Sequence, residues 1–159
     1  MSSAGANATV LIRKQWKLLS GVPGGKRVFS RMMGFAVPYT GSIGARVEEL
    51  REGYARVVLP DRRAVRNHLA SVHAIALANL AEMTGNLAVL FSAPEETRMI
   101  VAGISLDFLK KARGDITGEC TCEIPGLERK EYVNEVVMTD AQGEVVAIAK
   151  LRSLVGPQK

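Results

Sequence analysis

The sequence predicts an α+β domain in which one long central helix is wrapped by a curved antiparallel sheet, with an extra helix at the amino terminus. Three observations predict it. Residues 72–91 are rich in Ala and Leu and apolar almost all round, the composition of a buried helix. Two strand-like segments precede this helix and four follow it, separated by Gly- and Pro-containing turns. Near the start, Leu11, Ile12, Trp16 and Leu19 recur at helical spacing and give one apolar stripe.

The elements follow in order. The amphipathic stripe predicts a helix over residues 9–19, broken by Gly21, Pro23, Gly24 and Gly25. Residues 27–35 read as a further helical turn or two, and 38–44 as a loop. Strands are expected over 43–50 and 54–60, joined by a hairpin turn at Glu52-Gly53. Residues 61–70 form a polar, basic loop that carries Arg62, Arg63, Arg66, Asn67 and His68. The long helix ends before Pro94. Strands are then expected over 98–109, 115–124, 131–139 and 144–154, with turns at Arg113-Gly114, Pro125-Gly126 and Gln142-Gly143. The division implied is a helical extension over 1–40 and a main domain over 41–159.

Composition narrows the function classes. The chain has 159 residues, 47% hydrophobic and 23% charged, which suits one globular domain rather than a disordered chain. No secretory pattern opens it, and no uninterrupted apolar run approaches the roughly 18–20 residues that span a bilayer. Cys120 and Cys122 share one strand face, are too close to staple the chain, and have no metal-type spacing with His. Free thiols suit a reducing cytoplasm. The formal charge of +5 is unevenly placed. Arg13, Lys14, Lys17, Lys26, Arg27, Arg31 and Arg46 precede Glu48 with no acid among them, whereas the remainder carries 14 basic and all 16 acidic residues. A solvated basic helix face explains this most simply. Weak contact with an anionic coenzyme or lipid surface is the next reading, and nucleic acid the last, since no recognition motif accompanies the charge.

One segment carries chemistry: Asn67, then His73 six residues later, then Glu82 nine beyond the His. With this spacing and the element order over residues 40–155, the chain resembles the PaaI-like branch of the hotdog acyl-CoA thioesterase superfamily. Along a helix, nine residues turn about 900° and rise about 13.5 Å, which would put the helix start and Glu82 on opposite sides. One chain cannot then bring both to one substrate, whereas two antiparallel copies can, giving a two-fold dimer with two composite sites. The resemblance implies the same pairing, and leaves a dimer of dimers open.

The resemblance also implies roles. The Ala74 N–H, at a positive helix end, would donate to the oxyanion formed from the thioester carbonyl. Asn67 would hold the thioester or a water. Glu82 of the other copy would be general base on water, or nucleophile. His73 would organise the loop and the helix start. Lys110, Lys111 and Arg113 would meet the phosphates of coenzyme A, with Arg66, Arg62 and Arg63 as further cations. Coenzyme A enters as part of the substrate, and no separate cofactor or metal is expected.

Plainer readings stand beside each role. Glu82 could be a buried acid paired with Asn79 or Asn86, His73 a structural histidine, Asn67 a turn former, and the basic cluster solvated surface. The chain also departs from the family: Ala70 stands where a Gly is usual three residues before the His, and Ala74-Ile75 where a Gly pair is usual after it. Val101 and Asn86 stand where some members carry a hydroxyl. These departures favour, as the alternative function, a catalytically silent hotdog protein that binds acyl groups or acyl-CoA. A hotdog hydratase would need an Asp–His pair that is not at this spacing.

Overall fold

A computed structural model describes residues 4–157, with side chains from Ala8 onward; residues 1–3 of the expected extension and the last two residues lie outside the described part. Four helices and six strands follow in the order α1 (Ala4–Leu19), α2 (Gly25–Ala36), α3 (Pro38–Gly41), β1 (Arg46–Arg51), β2 (Tyr54–Leu59), α4 (Ala74–Ser92), β3 (Thr97–Phe108), β4 (Ile116–Thr121), β5 (Lys130–Thr139) and β6 (Val145–Pro157). The strands form one antiparallel sheet in the order β1-β2-β4-β5-β6-β3. β1 and β3 are therefore its edges.

Helix α4 touches all six strands, which a flat sheet would not allow. The sheet curls round it, as the hotdog architecture requires. Leu80, Ala81 and Ala88 are fully buried on α4 and share one core cluster with Val57, Ile116, Val136 and Leu151 from the strands, whereas Val89 packs with Tyr132 and Val155 in a second. Close approach rests on glycine. A Cβ on Gly85 would come within 3.0 Å of Leu151, and one on Gly118 within 2.8 Å of the Thr84 hydroxyl. By length and composition α4 could also cross a bilayer, but 61% of that stretch is buried inside the protein, as befits a core helix.

The amino-terminal helices share this core. Trp16 of α1 meets Phe29 of α2 edge to face, with ring centroids 5.1 Å apart, and both belong to the buried cluster around α4. Arg13 donates to the carbonyls of Phe91 and Ala93, each at 2.6 Å, and so satisfies the carboxyl end of α4. The Ser30 hydroxyl accepts from the Val47 N–H at 2.9 Å and ties α2 to β1.

Several boundaries differ from expectation. α2 is a helix of 12 residues rather than a turn or two, because it buries Phe29 and Ser30 on one face. Pro38 opens the short α3 where a loop was expected. The strand expected over 115–124 stops at Thr121, and Pro125-Gly126 sits in a longer connection rather than a tight turn. There the Cys122 N–H donates to the Gly53 carbonyl at 2.8 Å. Gly53 itself, at φ 74°, makes the β1–β2 turn that the sequence signals.

Candidate functional site

The start of α4 is built by the loop before it. His73 is the N-cap residue, extended at φ −65° and ψ 141°, and its Nδ1 accepts from the Ile75 N–H at 3.0 Å. Its own N–H donates to the Val65 carbonyl at 2.8 Å, and the Leu77 N–H closes the first turn onto the His73 carbonyl at 3.1 Å. The Ala74 N–H has no partner among the described residues. It stays open at the positive end of a helix of 19 residues.

Asn67 shapes this loop. Its Oδ1 accepts from the N–H groups of Leu69, at 2.9 Å, and Ser71, at 3.2 Å. The carboxamide oxygen is thereby occupied as a turn former, while the NH₂ group keeps both donors. Ala70 adopts φ +53°, the left-handed region, at the position where the resemblance leads to the expectation of Gly. A cavity of about 270 Å³ opens at the helix start, lined by Tyr39, Arg66, His73, Ile75, Ala76 and Asn79 among others.

Glu82 lies half-buried on a stripe with Ile75, Ala78 and Asn86, the face of α4 that the sheet leaves uncovered. It makes no hydrogen bond or ion pair among the described residues, so neither Asn79 nor Asn86 holds it. The expected opposition of helix start and Glu82 needs correction. His73 is not helical, and counted from Ile75 the acid lies two turns on, along the same side. Ala74 and Glu82, eight residues apart, are separated by about 12 Å along the axis and by about 80° around it, rather than facing opposite sides.

Two residues gain weight that the motif did not give them. The Asn79 amide donates to the Tyr39 carbonyl at 3.1 Å, yet its buried Oδ1 has no partner among the described residues, and the residue borders the cavity at the helix start. The buried Oδ1 of Asn86, one turn beyond Glu82, is also unpartnered. Buried acceptors without donors are uncommon in finished structures and suit a bound water or ligand. Only a buried polar residue on the apolar helix signalled them in the sequence.

The basic residues divide. Lys110 is paired with Asp140, at 3.0 Å, and with Glu144. Arg66 is bidentate to Asp61, at 2.7 and 3.0 Å. Arg66 holds the Asp61 carboxyl below its ordinary range, chiefly through this hydrogen bond. Arg62 donates to the Ser42 carbonyl at 2.8 Å. Lys111, Arg113 and Arg63 are exposed and unpaired among the described residues. The Val72 N–H donates to the Ala112 carbonyl at 2.8 Å, which fixes Lys111 and Arg113 beside the start of α4. Two of the four cations expected at coenzyme phosphates are thus committed to carboxylates, and two remain free. Among the described residues no group of three or more His, Cys, Asp or Glu side chains could hold a metal.

The fold has structural relatives. A structural-genomics crystal structure superposes with a TM-score of 0.80 at 32% identity, covering 93% of this chain and 99% of that one. A Pseudomonas aeruginosa protein of unknown function, described as a probable thioesterase, gives 0.74 at 30% identity over 81% of this chain and 93% of its own. The Escherichia coli PaaI protein of the phenylacetic acid degradation operon shares the fold, at a TM-score of 0.65 and 17% identity over 81% and 97% of the two chains. None of the curated proteins matches the sequence. Residues 25–155 match the model of a domain of unknown function, DUF4442. The chain belongs to the DUF4442 family and has the hotdog fold, which the PaaI protein shares.

Proposed function

We propose that the protein hydrolyses an acyl-CoA thioester to the free acid and coenzyme A, at a site shared between two copies of the chain. The observation that carries this reading is Glu82: a half-buried carboxylate with no internal partner, on the uncovered stripe of α4. A carboxylate that its own chain leaves unpaired on an otherwise apolar helix is free for a partner outside that chain. Ala78 lies midway between Ala74 and Glu82, and its small side chain lets two antiparallel helices approach. With a two-fold axis at Ala78, Glu82 of one copy stands level with Ala74 of the other.

The chemistry follows from those positions. The Ala74 N–H donates to the carbonyl oxygen as it becomes an oxyanion. As general base, Glu82 of the second copy takes a proton from water while the water oxygen attacks the carbonyl carbon; as nucleophile, its carboxylate attacks and water cleaves the resulting anhydride. In either route the carbon–sulfur bond breaks and the thiolate leaves. Asn86 would hold the water through its open Oδ1, and the Asn67 NH₂ group would steady the thioester. Lys111 and Arg113 would receive coenzyme phosphates, and no resident metal is needed. The probable thioesterase at 30% identity supports thioester hydrolysis as the reaction class. The free thiols are in keeping with a cytoplasmic protein.

The silent, acyl-binding alternative rests on one observation: Ile75 stands 56% exposed beside the Ala74 N–H, where it narrows the approach. Thiol release from short, long and aromatic acyl-CoAs, with Glu82→Gln beside the wild type, decides between them. Burial pushes the Cys120 thiol up to about 12, which keeps its own background low in a disulfide-reagent assay. Hydrolysis lowered by at least about 100-fold in Glu82→Gln supports the enzyme. Saturable acyl-CoA binding with no thiol released by either protein supports the binder.

A further inference from the structure

Helices α1 and α2 leave an apolar groove between them with a volume of about 790 Å³. Leu11 and Ile12 line it from α1, Met32, Met33 and Phe35 from α2, and Leu90 from α4. Its size falls in the range of small-ligand pockets. Phe35 is 90% exposed at its rim. Single exposed apolar residues are ordinary on a protein surface, but a contiguous concave lining marks a binding face. Adjacent methionines give a wall that adapts to a flexible chain.

Charge supplies the second half of the argument. Arg31 borders this groove and also a neighbouring polar cavity of about 370 Å³, lined with Arg27, Ser30 and Arg46. Arg46 is paired with Glu48. Arg27 and Arg31, one helical turn apart, have no hydrogen-bonded or ionic side-chain partner among the described residues. No acidic residue precedes Glu48 in the sequence. An apolar trough bordered by the unneutralised guanidinium of Arg31, with Arg27 lining the adjoining polar cavity, complements a ligand that is apolar along its length and anionic at one end.

We propose that this groove binds a single-chain anionic amphiphile. Its unbranched acyl chain lies between α1 and α2, and its carboxylate or phosphate head meets Arg31, with Arg27 one turn away. Binding tightens about three- to four-fold for each methylene buried. The site uses neither Glu82 nor the start of α4, so it is separate from the hydrolytic reading and can be tested without it. A bilayer is the less suitable occupant, because the apolar lining is concave between two helices and a membrane surface needs a protruding one.

The test titrates the full-length protein with hexadecanoate, hexadecyl phosphate, decanoate and hexadecanol below their micellar concentrations, read by displacement of a fluorescent polyene fatty acid. Both anionic sixteen-carbon probes bind saturably, hexadecanol binds about ten-fold more weakly, and decanoate at least about ten-fold more weakly than hexadecanoate. The ratio of hexadecanoate to hexadecyl phosphate affinity identifies the preferred head. Arg31→Gln brings the anionic probes to the level of hexadecanol and leaves hexadecanol unchanged. Met32→Trp fills the groove and weakens every probe, while thermal melting shows that both variants stay folded. Absence of saturable binding overturns the proposal, as does binding unaffected by either substitution. Binding to phosphatidylglycerol vesicles without binding of the monomeric probes also overturns it, and makes this face a membrane contact instead.

Discussion

The Nδ1 of His73 accepts a hydrogen bond from the N–H of Ile75 at 3.0 Å, so α4 is capped by the ring of its own first flanking residue. That nitrogen must be unprotonated, which places the ring proton of the neutral imidazole on Nε2. The cap occupies one N–H and leaves the neighbouring Ala74 N–H open. His73→Ala is expected to lower stability by about 1 kcal/mol, the usual cost of an N-cap, whereas His73→Asn, a good capping residue, recovers most of it. Urea unfolding of the three proteins checks this; equal midpoints would remove the capping role.

Ala70 holds φ +53° between the two N–H groups that Asn67 binds. An L-residue with a Cβ is strained there by about 1 kcal/mol relative to glycine. Ala70→Gly is therefore expected to raise stability, or at worst leave it unchanged once the added freedom of the unfolded chain is counted. The same urea measurement applies, and a clear loss of stability would show that the loop relies on the Ala70 methyl group.

How far such features can be read from the sequence depends on whether they are local. Helix α4 was expected over 72–91 and spans Ala74–Ser92, since its apolar composition and Pro94 are local signals. The Asn67, His73 and Glu82 spacing was legible for the same reason. The early end of β4 was not: β5 pairs with it only from Val136 to Thr139 and continues along β6 alone, a matter of sheet register. Nor was the fate of Lys110, whose partner Asp140 is 30 residues away and meets it only when β3 and β5 are brought to the same end of the sheet. The solitude of Glu82 is a tertiary fact too, because Asn79, three residues before it, turns instead to Tyr39 of α3.

The Asp61–Arg66 pair gives the loop before α4 a dependence on acid. Folding lowers the Asp61 carboxyl from its ordinary value of 3.8, first through the hydrogen bond from Arg66. The unfolded chain therefore binds this proton more readily, so stability rises with pH between the folded and unfolded values. The contribution is complete above the unfolded value and is lost as pH falls through the folded one. The pair is partly exposed and its effect modest. Asp61→Asn is expected to show a shallower loss of stability below about pH 4 than the wild type, with little difference in that slope near neutrality. Parallel slopes for both proteins on acidification would remove Asp61 from the account.

The edge strand β3 gives the sharpest test of the shared site. It is 12 residues long, is paired only with β6, and carries exposed Ile100, Ile104 and Phe108. An unpaired edge of that length with apolar side chains invites another strand, and stable proteins protect or use such edges. Pairing with β3 of a second copy would continue the sheet across a two-fold axis and bring the uncovered stripes of the two α4 helices together. The wild type is accordingly expected to sediment as a dimer at micromolar concentration. Lysines at Ile100 and Ile104 place like charges across the junction, and the double variant is expected to be monomeric yet folded. Because Glu82 and Ala74 would then belong to separate molecules, thioester hydrolysis should fall with the dimer and recover only as concentration restores it. A wild-type monomer, or a monomeric variant with full activity, would return both groups to a single chain across about 12 Å of helix, a distance no proton transfer spans directly.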